Sequence, residues 1–334
     1  MKLNLLDFEN ISSGAVRVEE REEGFSFYRF TKAQKEMYKE RSADFYRKTF
    51  STSGITLRFE TDSTSLFLDV NVEKSSSRTY FAFDLEINGK IIDSLQNFDG
   101  TALPQDYTTI PAPLGSFSKT FELGEGKKEI CIYFPWSVAV VLKELTLNGT
   151  YIKAVKRTKK LLAIGDSITH GYDALHPTNK YITKIAKHLD AEEYNKAIGG
   201  EVFVPELARL REDFVPDFIT VAYGTNDWSL KDKDTFLKNA TEFYNSLSIS
   251  YPTSRIFAIT PIWRRDYENP EKAFPFAEVE KAIESICKSL DNVTVIHGFD
   301  LVPKDAKYFA DLRLHPNDKG FEYYAEGIIK ALEL

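Results

Sequence analysis

The spacing of apolar residues changes near residue 150, and this change constrains the fold of the 334-residue chain more than any other feature. Before it, apolar side chains recur at every second position, as at Ile55, Leu57 and Phe59. Such alternation is typical of β-strands that bury one face. From Lys160 onward, short apolar runs alternate with longer amphipathic segments, as in folds that alternate strands and helices. The sequence therefore predicts two domains of different class.

The N-terminal domain, predicted over residues 1–152, is expected to be an antiparallel β-sandwich with a jelly-roll-like topology. Its alternating runs are short, as at residues 81–87, and turn residues separate them. Asn88 and Gly89 follow that run and predict a type I′ hairpin turn, because both residues tolerate a positive φ. Several half-buried strands joined by tight turns favour a sandwich.

The C-terminal domain, predicted over residues 153–334, is expected to be a three-layer α/β/α fold with a flavodoxin-like parallel sheet. Alternating strands and helices imply a parallel sheet that helices cover on both faces. In such sheets the ligand lies beyond the carboxyl ends of the strands. The connection between the domains should fall between Gly149 and Lys160. The apolar runs taken as strands are residues 161–164, 218–222, 256–260 and 293–296.

Charge and hydropathy argue against two classes of partner. The formal net charge of −7 leaves no excess of lysine and arginine to neutralise phosphates, so nucleic acid is not expected. No run approaches the roughly 18 apolar residues of a membrane span.

Acidic residues within the first nine positions interrupt the apolar stretch that a secretory signal needs, so we expect a cytoplasmic protein. Cys131 and Cys287 fall in different predicted domains, so a disulfide is not expected.

Ser167 is the strongest candidate for a reacting group. It lies in residues 165–169, directly after an apolar run, where a buried strand would emerge into a turn. A serine nucleophile needs a base within hydrogen-bond reach. His315 suits this role, because it lies in a predicted turn before a helix and Asp311, four positions earlier, could accept its other N–H. These three residues predict an acyl-transfer site.

An acyl-transfer site also needs donors for the oxyanion of the tetrahedral intermediate. The candidates are the backbone N–H of Ser167, a backbone N–H within residues 197–200, and the side-chain amide of Asn226. Glycine at 199 and 200 would let the chain approach a ligand closely, although an ordinary tight turn is the alternative. For Asn226 the alternative is an Asx turn that caps the next helix.

These blocks of residues resemble those of the SGNH hydrolase superfamily, also called the GDSL family. Residues 165–169 match its first block, with Ile168 in place of the usual leucine. Residues 224–227, Gly-Thr-Asn-Asp, match its third block, and His315 matches its histidine. The resemblance covers the chain from Lys160 to its end and implies a hydrolase of the α/β/α class.

The second block departs from the family pattern. That pattern is usually Asn-x-Gly-x-x-Gly, whereas residues 195–200 read Asn-Lys-Ala-Ile-Gly-Gly, with Ala197 at the first glycine. The resemblance implies that Gly200 is the oxyanion glycine, with Gly199 as the fallback.

The acid also departs from the pattern. Family members usually carry it three residues before the histidine, where this chain has Leu312. Asp311 would reach His315 if the turn were one residue wider. Alternatively, a backbone carbonyl would orient His315 and the enzyme would use a dyad. We predict Asp311, because a carboxylate is the usual means of fixing the tautomer.

A β-sandwich ahead of an SGNH domain is similar to the architecture of carbohydrate esterases of family two, which remove acetyl groups from sugars. The resemblance implies a serine esterase, a carboxylic ester hydrolase, for small O-acyl groups and foremost O-acetyl groups on a carbohydrate. Ser167 would be the nucleophile, His315 the general base and Asp311 its orienting acid. No metal and no organic cofactor is implied. The sandwich could bind substrate, close the active-site cleft or build a homo-oligomer.

Two alternatives remain open at this point. A lysophospholipase or thioesterase would use the same machinery but would need an apolar acyl groove. A non-catalytic carbohydrate-binding protein would retain the fold without turnover. Trp228 and Trp263 follow predicted strand ends and could form a sugar-stacking wall for substrate binding, with simple packing as the alternative.

Overall fold

A computed structural model of the protein describes residues 1–99, 103, 107–108, 111–270 and 272–332. The chain forms two compact units. The first comprises Met1–Thr158 with Leu175–Thr178 and Glu192–Tyr194, and the second comprises Lys159–Ala174, Asn179–Ala191 and the chain from Asn195 on. Within the described residues, no helix combines the length and apolar character that crossing a membrane would require.

Antiparallel strands make up most of the first unit. They are β1 Ser12–Ser13, β2 Arg17–Arg21, β3 Gly24–Tyr28, β4 Thr56–Thr61, β5 Ser65–Lys74, β6 Ala82–Ile87, β7 Lys90–Gln96, β8 Gly115–Glu122, β9 Lys128–Tyr133, β10 Val138–Leu147 and β11 Ile152–Ala154. One sheet has the order β1-β4-β9-β6-β7, with β11 beside β4, and the other has the order β2-β3-β10-β5-β8. The helices of this unit are α1 Leu5–Ile11, α2 Lys32–Arg41 and α3 Ala43–Lys48.

Apolar residues from both sheets of the first unit join in one core. Leu57 and Phe59 of β4 belong to the same buried cluster as Leu68 of β5 and Leu142 of β10. Two antiparallel sheets that share a core form a sandwich. This confirms the predicted antiparallel character of the N-terminal part, and the jelly-roll topology stays a prediction.

The second unit is built on a parallel sheet. Its strands are β12 Lys159–Gly165, β13 Ala191–Asn195, β14 Phe218–Ala222, β15 Arg255–Ile259 and β16 Val293–Ile296, in the spatial order β13-β12-β14-β15-β16. Its helices are α4 Ser167–His170, α5 Tyr181–His188, α6 Pro205–Arg209, α7 Thr225–Leu230, α8 Lys233–Ser250, α9 Ala277–Cys287 and α10 Asp318–Leu332. This strand order is the flavodoxin-like one, so the predicted fold class is confirmed.

The strand order reverses at β12, which has β13 on one side and β14 on the other. Gly165 at the end of β12 pairs in register with Ala222 at the end of β14. Ligands of such sheets bind beyond the carboxyl ends of the strands at this reversal. Ser167 and Asn226 follow these two strands closely, so the fold places both predicted site residues at its usual ligand-binding edge.

Candidate active site

Ser167 follows β12 through a sharp turn. β12 ends at Gly165, Asp166 is the N-cap of α4, and Ser167 is the first residue of that helix. The Oδ1 atom of Asp166 accepts a hydrogen bond from the N–H of Ile168 at 2.9 Å. Glycine is required at the bend, because a Cβ on Gly165 would lie 2.3 Å from Oγ1 of Thr169. The turn holds Ser167 at the carboxyl end of the strand, where the residue is 5% exposed.

Ser167, His315 and Asp311 form one chain of hydrogen bonds. The Nε2 atom of His315 lies 2.8 Å from Oγ of Ser167, and its Nδ1 atom lies 2.8 Å from Oδ2 of Asp311. An ionised carboxylate only accepts hydrogen bonds, so Nδ1 carries the proton of the neutral imidazole and Nε2 accepts from the serine hydroxyl. The structure therefore brings together the three residues for which the sequence predicts catalytic roles, in the arrangement that nucleophilic acyl transfer needs.

The turn between Asp311 and His315 shows how an acid four residues away reaches the imidazole. Leu312 adopts a left-handed conformation with a φ of 56°. The Oδ1 atom of Asp311 accepts hydrogen bonds from the backbone N–H groups of Arg313, Leu314 and His315 at 2.9, 2.7 and 3.1 Å. These bonds fix the carboxylate so that its other oxygen faces Nδ1. In the structure, the side chain of Asp311 therefore accepts the hydrogen bond from Nδ1 of His315, a role that a backbone carbonyl would have in a dyad.

The environment of Asp311 favours its ionised form. Burial alone would raise the pKa of this carboxyl group. Its hydrogen bond with His315, the charge of that imidazole and the N–H groups of Leu314 and Arg313 nevertheless hold the pKa well below its usual range. A carboxylate that stays ionised stabilises the imidazolium that forms when His315 takes up a proton.

The two candidate glycines after β13 differ in their surroundings. The backbone N–H of Gly199 donates to Nδ1 of His170 at 3.3 Å, and a Cβ on Gly199 would lie 2.6 Å from ring atoms of Tyr172. Gly200 has a φ of 89°, and its N–H has no acceptor among the residues that the structure describes. An uncommitted N–H on a left-handed glycine suits an oxyanion donor. The geometry therefore favours Gly200 over Gly199.

Asn226 lies at the start of α7, two residues after Gly224, whose φ of 114° turns the chain into the helix. The Nδ2 atom of Asn226 donates to the backbone oxygen of Glu201 at 2.9 Å. This bond ties the start of α7 to the turn that contains Gly200, and the amide has a second N–H to offer a ligand. In the described part of the chain the backbone N–H of Ser167 has no acceptor either. Three donors are thus available for the predicted oxyanion site.

Two buried carboxyl groups flank the site residues in sequence. Asp166 precedes Ser167, and burial raises its pKa to about 6. Asp227 follows Asn226, and burial raises its pKa to about 7, against the hydrogen bond from the N–H of Phe203 and with a contribution from the charge of Asp166. The Oδ1 atom of Asp227 accepts that bond at 3.1 Å. The protonation of this pair therefore changes near neutral pH.

Trp228 is buried instead of lining an open site. The residue is 1% exposed, and its Nε1 atom donates to the backbone oxygen of Phe274 at 2.8 Å. The guanidinium carbon of Arg264 lies 4.8 Å from the ring centroid. Trp263 is 8% exposed and packs against Phe309 with centroids 5.2 Å apart. These contacts favour the packing alternative and do not support the predicted substrate-binding role of Trp228.

Two neighbours of His315 escape recognition in the sequence. The ring of Tyr172 stacks on the imidazole, with centroids 5.7 Å apart and an interplanar angle of 29°. The Oδ2 atom of Asp173 lies 3.6 Å from Nδ1. Their one sequence signal is their position in the turn that follows Ser167.

Ligand atoms of Asp173, Asp311 and His315 lie within 4.8 Å of one another and could hold a metal ion. Both imidazole nitrogens of His315, however, already face hydrogen-bond partners, Asp311 at Nδ1 and Ser167 at Nε2.

The comparison with known families concerns the second unit. Residues 163–323 match the GDSL-like Lipase/Acylhydrolase family. This range contains Ser167, Gly200, Asn226, Asp311 and His315. No curated protein matches the sequence of the chain.

Solved structures share the fold over most of the chain. A salicylyl-acyltransferase, SsfX3 from a tetracycline biosynthetic pathway, gives a TM-score of 0.78 at 18% identity and covers 97% of this chain and 94% of its own. An acetyl xylan esterase, Est2A from the rumen bacterium Butyrivibrio proteoclasticus, gives 0.59 at 16% identity, covering 85% and 90%. A family two carbohydrate esterase from Clostridium thermocellum in complex with cellohexaose gives 0.63 at 16% identity, covering 85% and 93%.

Both resemblances drawn from the sequence are thereby confirmed. The SGNH resemblance corresponds to the family match over residues 163–323. The resemblance to carbohydrate esterases of family two corresponds to a shared fold, since identities of 16–18% carry no more than that.

Proposed function

We propose that the protein is a serine esterase for small O-acyl groups, foremost O-acetyl groups on a carbohydrate. The premise is that residues 163–323 match the GDSL-like Lipase/Acylhydrolase family. The observation that carries the proposal is the chain of hydrogen bonds from Oγ of Ser167 through His315 to Asp311, with both links at 2.8 Å. This arrangement supplies an activated nucleophile, which is the first requirement of acyl transfer.

Each residue of the site then has a defined step. Oγ of Ser167 attacks the ester carbonyl carbon while Nε2 of His315 takes the hydroxyl proton. The N–H groups of Ser167 and Gly200 and the amide of Asn226 hold the negative charge that forms on the carbonyl oxygen. The intermediate collapses to an acyl-serine, and His315 returns the proton to the leaving alkoxide. A water molecule then attacks the acyl group, His315 takes its proton and returns it to Oγ of Ser167, and the free acid leaves.

The preference for acetylated carbohydrate is supported by the shared fold. Est2A carries the name acetyl xylan esterase, and the Clostridium thermocellum enzyme is bound to cellohexaose. The rival lysophospholipase or thioesterase would bind a long acyl chain in an apolar groove. Comparing p-nitrophenyl acetate with p-nitrophenyl octanoate separates the two, because the proposal expects the acetyl ester to have the higher kcat/KM. A higher value for the octanoyl ester would favour the lipase alternative.

The serine mechanism is tested with Ser167→Ala. We expect this variant to lose hydrolysis of p-nitrophenyl acetate, because no other nucleophile is held against His315 in the described structure. Ser285→Ala is the matched control, since Ser285 is an exposed serine on α9 in the same unit. Undiminished turnover by Ser167→Ala would overturn the proposal. Sugar binding by the wild type without turnover would instead favour the non-catalytic carbohydrate-binding protein.

The substrate class is tested with a panel of acetylated mono- and oligosaccharides. Free acetate is measured, because its release distinguishes hydrolysis from transfer of the acyl group to another hydroxyl. We expect acetate release from at least one carbohydrate with a kcat/KM above that for p-nitrophenyl acetate. Acetyl transfer without acetate release would contradict the hydrolase assignment while leaving the acyl-serine intact.

A further inference from the structure

The imidazole of His315 has two carboxylates beside its Nδ1 atom. Oδ2 of Asp311 lies at 2.8 Å and Oδ2 of Asp173 lies at 3.6 Å. We propose that Asp173 is a second positioning residue for His315, one that stabilises the imidazolium and takes over as acceptor when Asp311 is lost. This inference rests on the proposed function, in which His315 is the general base.

The turn after α4 delivers Asp173 to this place. Gly171 ends α4 with a φ of 115°, and the N–H of Ala174 donates to the oxygen of Gly171 at 3.1 Å. Asp173 itself adopts a φ of 72°, which residues other than glycine rarely take. Such backbone strain persists where the surroundings fix it, and it is concentrated at functional sites. The strain here has a visible result, because it turns a fully buried carboxylate towards the imidazole.

The same turn also supplies Tyr172, so neighbouring residues hold the imidazole from two directions. The ring of Tyr172 stacks on the face of the imidazole at a centroid distance of 5.7 Å, while Asp173 approaches its edge at Nδ1. Gly199 leaves room for the tyrosine ring, since a Cβ there would lie 2.6 Å from it. The base is thus confined by Ser167 at Nε2, by Asp311 and Asp173 at Nδ1, and by a ring on its face.

The two carboxylates would act differently. Asp311 makes a hydrogen bond and so fixes the tautomer. A separation of 3.6 Å is too long for a hydrogen bond, so Asp173 acts through its charge. When His315 takes the proton of Ser167, a positive charge develops 3.6 Å from this carboxylate, whose side chain is fully buried. The charge of Asp173 therefore stabilises the imidazolium of His315 while Ser167 attacks the ester, and this lowers the barrier of that step.

The charged groups around His315 define what a pH measurement would report. Asp311 and Asp173 face Nδ1 of His315. The charges of His315 and Arg264 both act on a third acid, Asp166. Removing one negative charge beside the imidazole disfavours its protonated form. The acid limb of the kcat/KM profile should therefore move to lower pH when Asp173 loses its charge, a shift that a purely structural role would not cause.

The test compares Asp173→Asn, Asp311→Asn and the double variant with the wild type, using p-nitrophenyl acetate. Asparagine tolerates the left-handed backbone at 173 and removes the charge while it keeps one accepting oxygen and nearly the same side-chain shape. We expect Asp173→Asn to lower kcat roughly tenfold to a hundredfold with little change in KM. The double variant should lose more than the larger of the two single losses, and the acid limb of Asp173→Asn should move to lower pH. Asp190→Asn is the matched control, because Asp190 also has a positive φ, 51°, but is exposed after α5.

Nuclear magnetic resonance on the Asp311→Asn variant gives an independent readout if Asp173→Asn does not fold. We expect the far-downfield resonance of the His315 Nδ1 proton to persist in this variant, because Asp173 then accepts the hydrogen bond. Loss of that resonance, or an Asp173→Asn enzyme whose kcat and pH profile match those of Asp190→Asn, would overturn the inference. Failure of the proposed function is distinguished from this result by Ser167→Ala, which would then be as active as the wild type.

Discussion

The backbone N–H of Gly199 donates a hydrogen bond to Nδ1 of His170 at 3.3 Å, and His170 is fully buried. This bond fixes the loop after β13 against the short helix that begins at Ser167. It also engages the N–H of Gly199, which leaves the N–H of Gly200 for the oxyanion. The nucleophile and one of its donors are therefore held by the same pair of elements.

Gly199→Ala is expected to lower both kcat and the melting temperature. The added Cβ would lie 2.6 Å from ring atoms of Tyr172, so the ring must move, and it stacks on His315. Overpacking of this kind costs about 1–3 kcal/mol of unfolding free energy. Calorimetry and p-nitrophenyl acetate turnover measure the two effects. A destabilised variant with wild-type kcat would show that the position of the Tyr172 ring does not affect the base.

Asn226→Ala should lower kcat about a hundredfold to a thousandfold with little change in KM, because an oxyanion donor acts mainly in the transition state. Steady-state kinetics with p-nitrophenyl acetate measure this split. Asn245→Ala is the control, since Asn245 is exposed on α8. A rise in KM at constant kcat would instead assign Asn226 to ground-state binding.

Trp228→Phe should destabilise the protein and leave KM for acetylated sugars unchanged. The substitution removes the hydrogen bond from Nε1 to the oxygen of Phe274 and part of a ring that is 1% exposed. A lost buried hydrogen bond and reduced packing cost about 1–3 kcal/mol together. Urea unfolding measures the stability. An increased KM with unchanged stability would restore the sugar-stacking role that the sequence suggested.

Asp227 should make the folded protein less stable as the pH rises from 5 to 8. Its pKa is raised from 3.8 to about 7, so between these values the folded state binds a proton that the unfolded state has released. The unfolding free energy then falls with rising pH until the carboxyl group ionises near pH 7. Each pKa unit corresponds to about 1.4 kcal/mol, so the whole effect is on the order of a few kcal/mol.

Asp227→Asn should flatten this dependence, because asparagine keeps an acceptor for the N–H of Phe203 and does not ionise. Urea unfolding at pH 5, 6, 7 and 8 gives the slopes for the variant and the wild type. A residual slope of the same sign is expected from Asp166, whose pKa is raised to about 6. Identical slopes in both proteins would contradict the raised pKa of Asp227.

The sequence predicts those features that follow from local patterns and from the geometry of a parallel sheet. Ser167 and Asn226 each follow an apolar run, and the carboxyl ends of parallel strands meet at one edge. Their placement at the same edge of the sheet was therefore predictable from their positions directly after two strands. The hairpin at Asn88 and Gly89 was predictable for a similar reason, since both residues take a positive φ in the structure, 49° and 82°.

Features that depend on distant packing were not predictable in the same way. Asp173 reaches His315 only because a left-handed turn redirects the chain, and no periodicity encodes that turn. Trp228 follows a strand end, where an exposed ring was plausible, but contacts with Phe274 and Arg264 bury it. Lys32–Arg41 forms a helix although its pattern is too polar to assign, because a Thr31 capping box starts it and Tyr38 anchors it.

Leu312 carries a consequence for how relatives of this chain are recognised. A single residue with a φ of 56° absorbs the extra length between the acid and the base, and the carboxylate still reaches Nδ1. A search template that demands an acid three positions before the histidine would discard this chain as lacking one. The number of residues between acid and base can therefore change while the hydrogen bond between them is kept. Comparisons of such hydrolases should identify the acid by its position in the folded structure and not by its position in a sequence alignment.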